Sequence, residues 1–216
     1  MKYKLVIFDL DGTVLNTLDD LAAAVNFALR KRGLPTHSVD TVRTFIGNGV
    51  ANLIRRAAPA EVSDGECADI LKDFKAYYAE HVNVLTKPYP GILEMLSALR
   101  NAGMRIGINS NKYDAALQTL CISHFSGLYD AAVGESDVTP KKPDPTAALR
   151  IMKQFSVSPK ETIYVGDSGV DLNTAKNIGC DAAWVSWGFR HPEDMTGFTI
   201  PRRFDDVPSL TEFLLG

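Results

Sequence analysis

This chain of 216 residues has few cysteines, no long apolar run and no excess of positive charge. The three cysteines, Cys67, Cys121 and Cys180, lie far apart and form no Cys-x-x-Cys pair, which argues against a disulfide framework or a zinc site. No apolar segment reaches the roughly 18 residues of a membrane-spanning helix. The formal net charge of -3 gives no general attraction to nucleic acid or acidic membranes. An anionic substrate would therefore need positive groups gathered locally.

The N-terminal segment also lacks the pattern of a secretory signal peptide. It enters a strand that contains Asp9 without a charged leader, a long apolar stretch or a small-residue cleavage site. We therefore expect a cytoplasmic protein whose partner is a small molecule, with no nucleic acid and no membrane. The sequence does not determine the oligomeric state, and the expected assembly is a monomer or a homodimer.

The most informative stretch is an apolar run over residues 5–8 that leads directly into Asp9-Leu10-Asp11-Gly12. An apolar run without alternation predicts a strand covered on both faces, as in parallel sheets. Ligands of open α/β sheets bind beyond the carboxyl ends of the strands, where Asp9 and Asp11 would lie. Side chains alternate along a strand, so the two carboxylates project to the same side if the extended geometry persists. Taken alone, the pair fits an acidic turn that caps a helix equally well.

Residues 16–84 contain helical patterns and no convincing strand. Apolar side chains recur at helical spacing over 18–29, after Ser38 as far as Phe45, and from Val50 to Pro59. A capping-box sequence that starts at Ser63 opens a further helix. The block therefore predicts an all-helical insertion placed directly after the acidic turn.

From residue 89 onward, helices and strands alternate. Strands are predicted over 105–109, 131–133, 162–165 and 182–186, with helices over 92–102, 114–124, 146–155 and 170–178. This alternation predicts an α/β fold with a doubly wound, Rossmann-like parallel sheet. The predicted domains are an α/β core over residues 1–15 and 85–216 and a helical cap over residues 16–84.

Polar residues follow the predicted strands at their carboxyl ends. Carboxylates from the first and fourth strands could bind a hard cation such as Mg²⁺, and donors from the second and third would face a negative group. Such an arrangement suits phosphoryl transfer. Each residue alone fits a turn, a helix cap or a solvated surface, but their joint occurrence favours a reaction centre. The set is Asp9, Asp11, Ser110, Asn111, Lys112, Lys141, Lys142, Asp167 and Asp171.

Four segments resemble the motifs of the haloacid dehalogenase-like hydrolases, and the resemblance spans nearly the whole chain. The insertion is similar to the cap of the subgroup that includes phosphoglycolate phosphatases. Two positions depart from the common pattern: Asn16 stands where Asp is frequent, and Ser110 stands where Thr is frequent but keeps the hydroxyl donor. The motifs are Asp9-Leu10-Asp11-Gly12-Thr13-Val14, Ser110-Asn111, Lys142-Pro143 and Gly166-Asp167-Ser168-Gly169-Val170-Asp171, and the subgroup also has a segment like Ile46-Gly47-Asn48-Gly49.

The resemblance implies a Mg²⁺-dependent phosphatase that acts on a small phosphorylated metabolite such as phosphoglycolate. Asp9 would be the nucleophile that forms an aspartyl-phosphate, and Asp11 would act first as general acid and then as base. Asp171 would bind the metal through water or brace Lys142. The implied phosphate-binding residues are Gly12, Ser110, Asn111 and Lys142, and the implied metal ligands are Asp9, the main-chain carbonyl of Asp11, Asp167 and Asp171.

Several alternatives stay open at this point. A sugar-phosphate mutase of the β-phosphoglucomutase type shares every core motif, and a pyrophosphatase, a nucleotidase or a non-catalytic phospho-ligand-binding protein is less favoured. Asp11 disfavours a dehalogenase, because superfamily dehalogenases lack an acid at this position. Phosphonate cleavage would need a Schiff-base lysine in the cap, where Lys31, Lys72 and Lys75 lie in no evident apolar pocket.

Cap residues are expected to close over the crevice and select the leaving group. Gly47, Asn48 and Gly49 are the first candidates, because a glycine-flanked turn can approach a small substrate closely. Arg43, Arg55 and Arg56 could bind a substrate carboxylate, although a solvated helix face explains them better. Trp187-Gly188 could line the same cleft, and a core tryptophan before a turn explains this pair equally well.

Overall fold

The computed structural model describes residues 2–47 and 49–216. Six strands form one sheet, and two short strands pair separately. The strands are β1 Leu5–Phe8, β2 Leu15–Asn16, β3 Lys87–Pro88, β4 Arg105–Tyr113, β5 Ala131–Glu135, β6 Thr162–Gly166, β7 Asp181–Val185 and β8 Arg203–Phe204.

Several helices begin or end at residues with recognisable capping chemistry. Ser38 accepts a hydrogen bond from the amide of Thr41 at the start of α2, and Ser63 with Glu66 forms the expected capping box of α4. Gly179 closes α8 in the left-handed conformation. The helices are α1 Leu18–Arg30, α2 Val39–Phe45, α3 Val50–Ala57, α4 Asp64–His81, α5 Ile92–Asn101, α6 Asp114–Phe125, α7 Thr146–Phe155, α8 Gly169–Ile178 and α9 Val207–Leu215, with 3₁₀ turns at Pro159–Glu161 and Pro192–Met195.

The large sheet has the strand order β5-β4-β1-β6-β7-β8, and its strand pairs are parallel. β1 lies inside the sheet, where Phe8 pairs with Ile108 of β4 on one side and with Val165 of β6 on the other. The predicted α/β fold with a doubly wound parallel sheet is therefore confirmed. Because the strands are parallel, the residues that follow β1, β4 and β6 emerge at one edge of the sheet.

The hydrophobic core explains why β1 carries no polar residue before Asp9. All four residues of β1 are fully buried, as expected for a strand that helices cover on both faces. A cluster on one side of the sheet joins β1 to α7, β6, α8 and β7. Its members include Leu5, Ile7, Ala148, Ile151, Met152, Tyr164, Leu172, Ala175, Ile178 and Trp184.

Contacts divide the chain into two units, one of which is Thr17–Lys87, while the other consists of the chain up to Asn16 and from Pro88 onward. Within the unit Thr17–Lys87, α1 packs against α4, and the rings of Phe27 and Tyr77 stack at 4.2 Å. The sequence placed the boundaries of its helical cap at residues 16 and 84, and that division into domains stays a prediction.

Asp20 fixes the end of the unit Thr17–Lys87. Its buried carboxylate accepts hydrogen bonds from the main-chain amides of Val84, Leu85 and Thr86 at 2.8 to 3.0 Å, and from the Thr86 hydroxyl at 2.8 Å. A buried charge needs such partners. Three successive amides therefore serve one side chain from the first turn of α1.

Several elements differ from the expectation. β4 does not end at residue 109 but runs on to Tyr113, with an irregular register against β5 after Asn109. Ser110, Asn111 and Lys112 therefore lie within a strand, although their residue types are typical of a turn. The elements that the sequence pattern missed are β2, β3, β8 and α9.

Candidate active site

Asp9 lies where β1 ends and is buried. Its main-chain amide still donates to Val165 of β6, at 2.9 Å, so the sheet holds its backbone. Oδ1 accepts a hydrogen bond from the amide of Leu10 at 2.7 Å and lies 2.6 Å from the Lys142 ammonium. Burial raises the pKa of Asp9 well above its ordinary value, while the charge of Lys142 opposes that rise.

Gly12 allows the turn after Asp11. Its φ is 84°, a conformation that favours glycine, and a side chain here would overlap the carboxylate of Asp167. The amides of Thr13, Val14 and Leu15 all donate to the carbonyl of Leu10, which closes the turn tightly. The Gly12 backbone is thereby brought against Asp167.

Lys142 connects carboxylates from two elements. Its ammonium lies 2.6 Å from Asp9 Oδ1 and 2.8 Å from Asp171 Oδ1, and 4% of its side chain is exposed. Burial alone would lower the pKa of Lys142, but the charges of Asp171 and Asp9 outweigh it and raise the pKa well above the ordinary value. Lys142 is therefore a fixed cation at the carboxyl end of the sheet.

Asp167 and Asp171 accept hydrogen bonds from different segments of the chain. Asp171 Oδ2 accepts from the amide and the hydroxyl of Ser168 in the capping box of α8. Asp167 Oδ2 accepts from the amide of Phe189 at 2.6 Å, and its carbonyl accepts from the indole of Trp184 at 2.7 Å. Burial and the charge of Asp171 raise the pKa of Asp167 to about 7. Each carboxylate makes these bonds through Oδ2, while Oδ1 of Asp171 accepts from Lys142.

Oxygens of Asp9, Asp167 and Asp171 lie within 4.8 Å of one another. Three carboxylates gather around the Lys142 ammonium, which contacts two of them, so the group is rich in negative charge and in hard oxygen donors. Mg²⁺ prefers such ligands. The residues present therefore fit the predicted cation, whereas the side chain of Asp11 is outside this group.

Asp11 pairs instead with residues of β4. The Lys112 ammonium lies 2.9 Å from its Oδ1, and the Ser110 hydroxyl donates to its Oδ2 at 3.3 Å. Only 6% of the Lys112 side chain is exposed. The structure thus brings Asp9, Asp11, Ser110, Lys142, Asp167 and Asp171 to the predicted edge of the sheet.

The side chain of Asn111 forms hydrogen bonds with the loop that carries Lys142. Its Oδ1 accepts from the main-chain amide of Lys142 at 2.6 Å, and its Nδ2 donates to the main-chain carbonyl of Lys142 at 3.2 Å. The sequence assigned Asn111 to phosphate binding. Both polar atoms of its side-chain amide bond the main chain of Lys142, and the phosphate-binding role of Asn111 stays a prediction.

The residues of the unit Thr17–Lys87 that the sequence suggested for substrate selection take part in main-chain turns and hydrogen bonds. Gly49 precedes α3 with a φ of 89°, while Gly47 accepts a hydrogen bond from Arg56, which also donates to Phe45. Arg55 donates to the carbonyls of Val62 and Pro59. Asn48 lies outside the described residues, and the substrate role of Gly47, Asn48 and Gly49 stays a prediction.

Sequence reasoning missed the residues that hold Asp167. The loop after β7 brings Phe189 to the Asp167 carboxylate, and Trp187 donates to the carbonyl of Thr13 at 3.0 Å. Gly188 approaches Gly12 and Asp167 so closely that a Cβ there would overlap both. The Trp187-Gly188 pair was the one sign in the sequence that the loop after β7 reaches the site, and its contacts lie beside the turn after Asp11.

The fold and the site together define an α/β enzyme with a carboxylate and lysine centre at the carboxyl ends of parallel strands. The family model described as haloacid dehalogenase-like hydrolase matches residues 6–185. The chain belongs to this family of hydrolases, which confirms the predicted resemblance.

Curated relatives match over almost the whole chain. A phosphoglycolate phosphatase of Cereibacter sphaeroides is 38% identical over 216 residues, which cover 97% of this chain and 98% of the relative. A phosphoglycolate phosphatase of Thiobacillus denitrificans is 34% identical over 220 residues, which cover 98% and 94%. The names of these relatives agree with the predicted enzyme class, the phosphoric monoester hydrolases.

Solved structures support the same assignment. A crystal structure from Lactobacillus delbrueckii subsp. bulgaricus matches with a TM-score of 0.93 at 34% identity and covers 100% of both chains. A predicted phosphoglycolate phosphatase from Haemophilus somnus matches with a TM-score of 0.90 at 29% identity, covering 99% and 98%. Among the helices of residues 2–47 and 49–216, none is long and apolar enough to span a membrane.

Proposed function

We propose that this protein is a Mg²⁺-dependent phosphatase that hydrolyses a small phosphomonoester, with phosphoglycolate as the first candidate, through an aspartyl-phosphate on Asp9. The observation that carries the proposal is the buried Asp9 carboxylate, which lies 2.6 Å from the Lys142 ammonium inside a group of three carboxylates. The relatives named phosphoglycolate phosphatase support the choice of ester.

In the first step, a carboxylate oxygen of Asp9 attacks phosphorus and the bond from phosphorus to the leaving oxygen breaks. Asp11 acts as the general acid, giving a proton to that oxygen and releasing the alcohol. Lys142 and Ser110 orient the phosphoryl group and offset its negative charge. Asp9 then carries the phosphoryl group as an acyl phosphate.

In the second step, Asp11 takes a proton from water as the water oxygen attacks phosphorus. The bond between phosphorus and Asp9 breaks, so inorganic phosphate leaves and the Asp9 carboxylate is restored. The two steps use the same general acid and base in opposite directions. Dividing the reaction in this way replaces one difficult displacement with two easier ones.

Asp9, Asp167, Asp171 and the main-chain carbonyl of Asp11 would hold Mg²⁺. When bound, the cation supplies positive charge that stabilises the phosphoryl oxygens in the transition state. The protein contributes the buried ligands and the fixed ammonium of Lys142. The main-chain amides of Leu10, Phe189 and Ser168 bond the carboxylates of Asp9, Asp167 and Asp171, respectively.

The test is a screen of phosphorylated metabolites for phosphate release with Mg²⁺, using Asp9→Asn and Asp64→Asn as a matched pair. Asp64 is fully exposed at the start of α4, so its variant should retain wild-type turnover. Asp9→Asn should lose at least about a thousandfold in kcat, because it removes the nucleophile. Retention of turnover by Asp9→Asn would refute the aspartyl-phosphate route.

The same screen separates the alternatives. A mutase would convert a sugar phosphate into its isomer with a bisphosphate primer instead of releasing phosphate. Preference for nucleotides or pyrophosphate over phosphoglycolate would replace the proposed ester. An absence of turnover on every ester would favour a phospho-ligand-binding protein. The cytoplasmic location and the monomeric or homodimeric assembly stay predictions.

A further inference from the structure

The loop that carries Lys142 has little regular structure of its own. Between β5 and α7 it forms one isolated bridge, Ser136 with Thr139, followed by turns. A lysine side chain has several rotatable bonds, so its ammonium is placed accurately only if its main chain is fixed. The loop therefore needs anchors from the elements around it.

Two asparagine side chains provide anchors at adjacent residues of this loop. Asn111 of β4 bonds both the amide and the carbonyl of Lys142, at 2.6 and 3.2 Å. Asn177 of α8 donates one hydrogen bond to the carbonyl of Pro143 at 2.9 Å and is itself exposed. Asn111 thus fixes the residue that carries the ammonium, whereas Asn177 holds its neighbour.

We propose that Asn111 is a positioning residue that sets the place of the Lys142 ammonium between Asp9 and Asp171, and that its side chain does not bind phosphate. This inference rests on the proposed roles of Asp9 and Lys142. Because β4 pairs with β1, Asn111 fixes the Lys142 loop to the same sheet that holds Asp9. The distance from the ammonium to the nucleophile is then set by two strands of one sheet.

Loss of this anchor should affect the chemical step more than substrate binding. Lys142 contacts the nucleophile itself, and a displacement of about 1 Å in a catalytic group can lower the rate by about a hundredfold. The contact matters most where charge moves from Asp9 to the phosphoryl group, which occurs in the transition state. A group that binds phosphate directly would act mainly on KM.

The test compares Asn111→Ala with Asn177→Ala in Mg²⁺, with p-nitrophenyl phosphate and phosphoglycolate as substrates. Asn111→Ala should lower kcat about 10- to 100-fold, with KM and the inhibition constant of inorganic phosphate changed less than about threefold. Asn177→Ala should stay within about twofold of wild type in kcat, because Lys142 keeps both bonds to Asn111.

Asn111→Asp provides a second variant of the same shape. It keeps the acceptor for the Lys142 amide, loses the donor to the carbonyl and places a negative charge at the site. As a positioning residue it should retain a kcat between those of wild type and Asn111→Ala. If Asn111 contacts phosphate, the added carboxylate should instead raise KM and the phosphate inhibition constant strongly, and the inference would be wrong.

Melting temperatures show whether each variant is folded, and Asn111→Asp carries the test if Asn111→Ala does not fold. Equal kcat values for Asn111→Ala and Asn177→Ala would overturn the inference while leaving the phosphatase intact. A wild-type protein without turnover would contradict the proposed function and with it the foundation of this inference.

Discussion

The ammonium of Lys142 lies 2.6 Å from the Oδ1 of Asp9, and both side chains are buried. The same ammonium also contacts Asp171, so one cation offsets carboxylates that come from β1 and α8. Removal of a buried charge from such a group leaves its partners unpaired, and this cost commonly reaches about 3 to 5 kcal/mol. The stability of this protein should therefore depend on its reaction centre.

Lys142→Met should destabilise the protein by about 3 kcal/mol in a chelator, because Asp9 and Asp171 then lose the ammonium that they share. Added Mg²⁺ should restore part of this loss. Urea unfolding with and without Mg²⁺ measures both effects. Lys141→Met is the matched control, since Lys141 is the adjacent residue, is 41% exposed and pairs only loosely with Glu135 at 3.2 Å. Equal destabilisation by the two variants would contradict this role of Lys142.

Mg²⁺ should raise the melting temperature of the wild-type protein, because a ligand that binds the native state stabilises it by mass action. Asp167→Asn removes one carboxylate charge and should greatly reduce this rise, together with the turnover. Thermal melting in increasing Mg²⁺ gives a readout that does not depend on activity. Asp206→Asn, outside the carboxylate group, should show the wild-type response. An unchanged response in Asp167→Asn would place the cation elsewhere.

Gly188→Ala should impair the site although residue 188 carries no functional side chain. The added methyl group would overlap the carbonyl oxygen of Gly12 and the Cβ of Asp167, so the Asp167 carboxylate must move. We expect a fall of about tenfold or more in turnover and weaker Mg²⁺ stabilisation. Gly65→Ala is the control, because no atom lies within 4 Å of its added Cβ and alanine suits the helix better. Normal turnover in Gly188→Ala would contradict the tight approach.

Asp20→Ala should destabilise the protein by about 2 to 4 kcal/mol, because it leaves the amides of Val84, Leu85 and Thr86 without their buried acceptor. Asp19→Ala is the control from the same helical turn, and its free energy of unfolding should fall by only about 0.3 kcal/mol. Urea denaturation monitored by circular dichroism measures both. Similar midpoints for the two variants would show that Asp20 has no special role.

Glu161 should contribute stability that depends on pH. Its hydrogen bonds to Lys4 and Ser158 lower its pKa from the ordinary value of 4.5 to about 2. A lowered pKa means that the folded state favours the charged form, so the contribution is present above pH 4.5 and is lost as the pH falls toward about 2. Glu161→Gln should therefore reduce the urea midpoint at pH 7, and the difference from wild type should shrink on acidification. Glu61→Gln, which changes an exposed side chain, is the control for the loss of charge. If the stability difference between Glu161→Gln and wild type grows on acidification, the pKa of Glu161 is raised by folding and not lowered.

The sequence was most informative where chemistry repeats along the chain. The apolar run of β1 predicted a central strand, and the carboxylates after β1 and β6 predicted where acidic groups meet. These inferences succeed because a parallel sheet brings the carboxyl ends of its strands together whatever the lengths of the connections.

Other features depend on contacts that no local pattern encodes. Ser110 and Asn111 have the residue types of a turn, yet they lie within β4, whose pairing with β5 is irregular after Asn109 and resumes at Tyr113. β8 consists of two residues at the edge of the sheet, too short for any periodicity. The bond from Phe189 to Asp167 joins residues whose proximity depends on the packing of the loop after β7. Tertiary context thus decided what residue type alone did not.

The position of β1 in the sheet has a consequence for the synthesis of this protein. β1 precedes both of its neighbours along the chain, since they begin at Arg105 and Thr162. A growing chain therefore exposes the apolar segment that precedes Asp9 until the second neighbour has been translated. Contacts between such distant segments form slowly, so a nascent chain that stops before β6 should be prone to aggregation and chaperone binding. Asp9, the proposed nucleophile, therefore acquires its neighbours Lys142, Asp167 and Asp171 only late in translation.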